Sequence, residues 1–167
     1  MRMSILLCCL LTFVVLMLSS CEQSMLDQGP LTTNVNSPAN STDYRAVARQ
    51  DAIDAGIRDD YFVAQINQES GFRPDVVSYA GAIGIAQIMK STAQSWNVNP
   101  WDPIASLKVA SQHMAWYQNT YGSYEKALAC YNAGCSSLLY AESHCIDFYW
   151  CLPAQTRGYI TNITGYV

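Results

Sequence analysis

Basic residues are scarce in this sequence, and charged residues of either sign are few. Nine Lys and Arg stand against thirteen Asp and Glu among 167 residues, which gives a formal net charge of −4 and a pI near 4.9. This balance argues against a nucleic-acid-binding module, because such a module needs a basic face to neutralise phosphates. Only 13% of the residues are charged and 50% are apolar, which excludes a disordered chain and suits one globular domain with accessory segments.

The sequence also lacks a hydrophobic run long enough for a comfortable membrane span. Its longest run, from Ile5 to Leu18, follows Arg2 and is shorter than the ~20 residues of a transmembrane helix. A run of this length after a basic residue is typical of a secretory signal. We therefore expect residues 1–20 to be a signal peptide and the mature protein to be exported.

The end of this signal has a distinctive sequence. Leu18-Ser19-Ser20-Cys21 resembles a bacterial lipobox, which implies that Cys21 is lipid-modified and becomes the new N-terminus. The resemblance implies a lipoprotein of the cell envelope that is anchored in a membrane and faces the periplasm, on the outer membrane in a Gram-negative cell. The alternative is an ordinary cleaved signal with a chance cysteine. Residues 21–43, which are rich in Ser, Thr, Asn and Gln, predict a flexible tether.

The segment 44–167 has a mostly helical pattern, and strand patterns in it are weak. The periodicity predicts a first helix over 44–57, a second over 59–69 and a last helix that begins near Pro153. Little or no β structure is expected beyond a short element around 76–82. The fold class predicted from the pattern is therefore mainly α, in a single domain over 44–167.

Local signals place three more helix starts. Ser91 begins a stretch with capping-box spacing, Asp102 followed by Pro103 predicts a capped helix, and Ser123 predicts the cap of the next one. The helix that starts at Pro103 carries an apolar stripe that we expect to face the core, formed by Leu107, Ala110, Met114, Tyr117 and Tyr121.

Four of the seven cysteines fall within the predicted domain: Cys130, Cys135, Cys145 and Cys151. An even number in an exported domain predicts two disulfides, with three possible pairings and closed loops of about 15–20 residues. The alternative is a zinc site that includes His144, but the cysteine spacing does not match zinc motifs. We expect no metal site, and we expect His113 to lie on a helix surface.

One acidic residue lies where the helical pattern calls for an apolar one. Phe62, Ile66 and Glu69 project to one side of the second predicted helix. Pushing a carboxylate toward a core is costly, so the pKa of Glu69 is expected to rise. A general acid needs a raised pKa to hold its proton near neutral pH. The alternative is a helix-end Glu that turns back into solvent.

Four ordered blocks around this glutamate resemble one enzyme family. Glu69-Ser70 is followed by Ser78, nine residues after the glutamate, and by Gln87, eighteen residues after it. The later blocks read Cys130-Tyr131-Asn132-Ala133-Gly134 and Gln155-Thr156-Arg157-Gly158-Tyr159-Ile160. Together they resemble the catalytic domain of lysozyme-like lytic transglycosylases of the soluble (SLT) type. The resemblance covers residues 44–163, and this chain departs from the family where Cys130 replaces an alanine and Gln155 a glutamate.

The resemblance implies a lysozyme-like fold of the goose-type or SLT kind. It implies cleavage of the β-1,4 bond between N-acetylmuramic acid and N-acetylglucosamine in peptidoglycan, with formation of a 1,6-anhydro end and no cofactor. Glu69 would be the single general acid and base. The residues implied to bind the glycan strand are Ser78, Gln87, Tyr131, Asn132 and Tyr159. No nucleic-acid partner is expected, and the sequence does not indicate whether the protein has protein partners.

Two other functions remain open at this point. A lysozyme-type muramidase would hydrolyse the same bond with water, for which ordinary glycosidases use two carboxyl groups. Asp75 is the nearby second carboxyl group, although a residue after Pro74 also suits a turn. A non-catalytic peptidoglycan-binding protein is the third possibility, and the complete set of motif residues argues against it.

Overall fold

The computed structural model describes residues 42–167. The predicted signal 1–20, the lipidation site Cys21 and the tether up to residue 41 lie outside the described residues. The described part contains eight helices: α1 (Tyr44–Ala55), α2 (Asp59–Ser70), α3 (Lys90–Ser95), α4 (Pro103–Tyr121), α5 (Tyr124–Ala133), α6 (Cys135–His144), α7 (Phe148–Cys151) and α8 (Ala154–Thr164). The predicted mainly α fold with little β structure is confirmed. Within this part no helix is both long and apolar enough to cross a membrane.

Side-chain caps account for several helix starts. The carboxylate of Asp102 accepts a hydrogen bond from the amide of Ala105, and the hydroxyl of Ser123 accepts one from the amide of Lys126, as predicted. Asp43, the last residue of the predicted tether, caps α1 in the same way. The prediction for Ser91 is wrong, because α3 already begins at Lys90 and has no side-chain cap.

Helix α5 lies at the centre of the packing. It contacts α4, α6 and α8, while α1 packs against α2 and α4, and α2 packs against α8. The predicted stripe on α4 is confirmed where Leu107, Ala110 and Met114 are fully buried, whereas Tyr117 and Tyr121 are half-buried. Helix α1 ends two residues earlier than predicted, because Gly56 takes a left-handed conformation that stops the helix.

The segment between α2 and α3 is an irregular loop over residues 71–89. It contains two isolated antiparallel bridges, Val77 with Ile83 and Ile83 with Ile88, close to the predicted β element. Gly84 has a φ of 73°, and a Cβ at this position would overlap the carbonyl oxygen of Pro100. Only glycine therefore lets this loop pack against the segment that leads into α4.

Two disulfides form near the end of the chain, and both close short loops. Cys130 pairs with Cys135, and Cys145 pairs with Cys151, at sequence separations of 5 and 6. The prediction of two bridges is confirmed, but the expected loop length of about 15–20 residues is wrong, because each bridge joins neighbouring helix ends. Zinc binds thiolates, so this pairing is incompatible with a zinc site built from these cysteines.

Candidate active site

Glu69 lies in the last turn of α2, on the side that faces α8. It is partly buried, and its Oε1 accepts a hydrogen bond of 2.5 Å from the hydroxyl of Tyr159. Burial raises the pKa of Glu69 to about 7, and the hydrogen bond from Tyr159 opposes part of this rise. The predicted increase in pKa is confirmed, and the carboxyl group is about half protonated at neutral pH.

Tyr159 is the buried partner of this carboxyl group. It lies on α8 with 5% of its surface exposed, and burial together with the negative charge of Glu69 raises the pKa of its hydroxyl well above the usual value. The phenol therefore stays protonated and donates to the carboxylate. Gln155, which replaces the family's glutamate, is exposed one turn earlier on α8. The position of Tyr159 thus depends on the packing of α8 and on Glu69.

The loop after α2 is tied to the helices on both of its sides. The buried hydroxyl of Ser70 donates to the carbonyl of Ile85 at 2.6 Å, and the hydroxyl of Tyr131 on α5 donates to the carbonyl of Ala86 at 2.6 Å. These two bonds hold consecutive carbonyl groups of the loop. The loop that carries Gln87 is therefore fixed relative to both Glu69 and Tyr131.

Gln87 and Ser78 have structural partners inside this loop. The amide nitrogen of Gln87 donates to the carbonyl of Gly84 at 2.8 Å, and the residue takes a φ of 48°. The hydroxyl of Ser78 accepts a bond of 3.0 Å from the amide of Ala82 in an exposed turn. Among the described residues Ser78 and Glu69 share no hydrogen bond, so Ser78 lies in the turn and not at the carboxyl group.

Three of the five predicted glycan-binding residues meet at one cavity of about 290 Å³. Gln87, Tyr131 and Asn132 all line it. The side-chain oxygen of Asn132 accepts a hydrogen bond of 2.9 Å from Thr156 on α8, so its amide is held in place. Burial raises the pKa of the Tyr131 hydroxyl well above its usual value, and the negative charge of Glu69 adds to this rise. Both cysteines of the Cys130–Cys135 disulfide also line the cavity.

The sequence analysis missed the aromatic residues beside this cavity. His113, predicted as a surface residue of α4, stacks on Trp96 with ring centroids 3.9 Å apart, and burial lowers its pKa. Trp96 also lies 6.1 Å from Tyr131, centroid to centroid. The spacing of His113, Trp116 and Tyr117 on one face of α4 was the available signal. Nothing local indicated that Trp96, at the end of α3, would join them.

The sequence of this chain matches one known protein family. The sequence model described as "Transglycosylase SLT domain" matches residues 47–144, more than half of the chain. The chain belongs to the transglycosylase SLT domain family. The match includes Glu69, the loop that follows it, and the Tyr131-Asn132 motif.

Solved structures share the fold of this SLT domain. The lytic transglycosylase Slt from Pseudomonas aeruginosa, solved as an inactive glutamate-to-glutamine mutant, is 20% identical with a TM-score of 0.62. The 70 kDa soluble lytic transglycosylase from Escherichia coli is 24% identical with a TM-score of 0.61. A complex of the 70 kDa soluble lytic transglycosylase with bulgecin A is 23% identical with a TM-score of 0.60.

The SLT domain described here is short beside these proteins. The matches cover 71%, 72% and 72% of this chain but only 22%, 22% and 23% of the three solved chains. The structural similarity establishes the lysozyme-like fold that the sequence resemblance implies. The similarity concerns only one segment of each of these much longer proteins.

Proposed function

We propose that this protein is a peptidoglycan lytic transglycosylase that cleaves the β-1,4 bond between N-acetylmuramic acid and N-acetylglucosamine and leaves a 1,6-anhydro end. The observation that carries the proposal is the environment of Glu69, which is partly buried, accepts a hydrogen bond from Tyr159 and has its pKa raised to about 7. A carboxyl group with this pKa is able both to give and to take a proton near neutral pH. Membership of the SLT family supports the same activity.

The reaction follows from one carboxyl group that acts twice. Protonated Glu69 donates its proton to the glycosidic oxygen, and the bond between that oxygen and C1 of the muramic acid breaks. The resulting carboxylate then removes the proton from the C6 hydroxyl of the same sugar, whose oxygen attacks C1 and closes the 1,6-anhydro ring. Glu69 ends the cycle protonated, and no water is consumed. Tyr159 stabilises the intermediate carboxylate through its hydrogen bond.

The cavity residues offer complementary groups to an N-acetyl sugar. The side-chain oxygen of Asn132 is engaged by Thr156, so its amide nitrogen is the group that donates to an acetamido carbonyl. The amide nitrogen of Gln87 is engaged by the loop, so its oxygen is the group that accepts from an acetamido N–H. Tyr131 contributes its ring to the cavity wall, and Ser78 offers its hydroxyl proton at the exposed turn.

Substitution of the two nearby acidic residues tests the assignment of Glu69. Glu69→Gln keeps the shape but removes the proton donor, so release of soluble fragments from purified cell-wall sacculi should fall by about 10²-fold or more. Asp75→Asn is the matched control, and because Asp75 is exposed its release rate should stay near that of the wild type. Full activity of Glu69→Gln would overturn the assignment. Loss of activity in Asp75→Asn would favour a two-carboxylate hydrolase instead.

We also propose that the mature protein is exported and held in the cell envelope through a lipid on Cys21, with residues 21–43 as the tether. The support is the signal-like run and lipobox-like sequence described above. A glycan-cleaving domain with net negative charge would then reach its anionic wall by tethering, not by charge attraction. Labelled palmitate should enter the wild-type protein in cells but not the Cys21→Ser variant. Equal labelling of both would refute the anchor.

A further inference from the structure

One buried side-chain hydrogen bond joins the two helices that carry Glu69 and Tyr131. The hydroxyl of Tyr124, the first residue of α5, donates to the side-chain oxygen of Gln65 on α2 at 2.9 Å. Gln65 is fully buried, and Tyr124 is 5% exposed. Among the described residues this is the only hydrogen bond that runs directly between α2 and α5. The bond therefore fixes how these two helices lie against each other.

Both members of this bond lie a whole number of helical turns from a residue of the proposed site. Gln65 precedes Glu69 by four positions, so the two side chains share one face of α2. Tyr124 precedes Tyr131 by seven positions, which is about two turns, so these side chains share one face of α5. A slide or rotation of either helix at the bond would move Glu69 relative to Tyr131 and Asn132.

The tyrosine of this pair is held in one orientation. Its ring packs against the ring of Tyr61 on α2, with centroids 5.4 Å apart. Burial, with a smaller contribution from the negative charge of Asp60, raises the pKa of the Tyr124 hydroxyl well above its usual value. The hydroxyl therefore stays protonated and donates to Gln65 throughout the neutral pH range.

The pair does not have the features of a stabilising contact. The side-chain nitrogen of Gln65 is buried and has no hydrogen-bond partner among the described residues. A neutral hydrogen bond contributes little net stability, and a buried N–H that is left unpaired offsets that gain. Two apolar side chains of the same shape would fill the space without this cost. A hydrogen bond is directional, however, and it specifies one arrangement of two helices more sharply than an apolar contact does.

We propose that Gln65 and Tyr124 form a positioning pair that sets the separation between Glu69 on α2 and the Tyr131-Asn132 wall on α5. The proposal rests on the proposed function, because it concerns the site at which that reaction takes place. Neither residue touches the sugar. The pair acts through the two helices, and it holds the carboxyl group at the distance from the bound sugar that proton transfer needs.

A double-mutant cycle with substitutions that conserve shape tests this pair. Gln65→Met, Tyr124→Phe and the double variant all break the same bond, so kcat should fall about 10-fold in each and no further in the double variant. KM should stay within about twofold, because Gln87 and Asn132 still line the cavity. The urea midpoint should fall in the single variants, which leave a buried polar group unpaired, and should recover in the double variant.

The split between stability and rate distinguishes positioning from a structural role. Recovery of kcat together with the urea midpoint in the double variant would overturn the proposal. Tyr149→Phe is the matched control, because it also removes a buried tyrosine hydroxyl, which in this case bonds Thr161 on α8. Its kcat should stay within about twofold of the wild type.

Crystal structures of the wild type and the double variant separate this proposal from the proposed reaction. The distance between the carboxyl carbon of Glu69 and the side-chain nitrogen of Asn132 should change by about 0.5–1 Å. An unchanged distance would refute the positioning pair even if the enzyme is active. A wild-type protein that releases no fragments from sacculi would refute the proposed function, and a changed distance would still support the pair as the contact that sets this geometry.

Discussion

Tyr159→Phe is the substitution that probes the electrostatics of Glu69 most selectively. It removes one hydroxyl and leaves the ring packed between α8 and α2. The lost hydrogen bond of 2.5 Å stabilises the ionised form of Glu69, and it is the interaction that holds the pKa down to about 7. Without it, burial acts unopposed, and the carboxyl group keeps its proton to higher pH.

The size of the effect follows from the energy of the bond. A hydrogen bond to a charged group contributes about 1.5–3 kcal/mol, and about 1.4 kcal/mol corresponds to one pH unit. In the wild type the rate should fall as pH rises through about 7, because the first step needs the protonated acid. In Tyr159→Phe this alkaline limb of kcat/KM should move upward by about 1–2 pH units.

The assay is fragment release from sacculi between pH 5 and 9. Tyr149→Phe is the matched control, because Tyr149 is also buried and bonds Thr161 on α8 at 2.7 Å without contacting Glu69. Its pH profile should coincide with that of the wild type. A limb that stays in place or moves to lower pH in Tyr159→Phe would refute the account of the raised pKa.

Two further predictions concern stability. Because the folded-state pKa of Glu69 is raised from 4.5 to about 7, its ionisation opposes folding. The contribution of Glu69 to the free energy of unfolding is therefore most favourable below pH 4.5 and declines as pH rises to 7. Glu69→Gln should gain up to about 3 kcal/mol over the wild type above pH 7 and little at pH 4, measured by urea unfolding. Replacing Cys130 and Cys135 together by Ala, or Cys145 and Cys151 together, should lower stability by about 2 kcal/mol in either case. Only replacement of Cys130 and Cys135 should also raise KM, since the loop that this bridge closes contains Tyr131 and Asn132. A KM equal to that of the wild type in this variant would contradict a positioning role for the bridge.

The features predicted well from sequence are those set by neighbouring residues. Asp102 and Ser123 cap helices because a side chain needs to reach an amide only three residues ahead. Glu69 stood out because helical periodicity alone places it beside Phe62 and Ile66. The prediction that Ser91 caps a helix is wrong, because α3 already begins at Lys90. The spacing of polar residues does not reveal this earlier start.

The features that sequence reasoning missed depend on distant contacts. The bond between Glu69 and Tyr159 joins residues 90 positions apart, and only the family resemblance hinted that both belong to one site. The stack of His113 on Trp96 requires α3 and α4 to meet at one angle, which no local pattern encodes. The role of Ser78 was implied by the family resemblance, whereas the geometry of the exposed turn decides its hydrogen-bond partner.

The most direct test of the central claim is the product formed in water labelled with heavy oxygen. Sacculi digested by the wild-type protein should give, by mass spectrometry, muramic acid ends that lack one water and carry no label, because the C6 hydroxyl of the sugar closes the ring. The Glu69→Gln variant should give no such ends. Reducing ends that carry the heavy oxygen would contradict the account, because they would show that water, not the sugar itself, attacks C1.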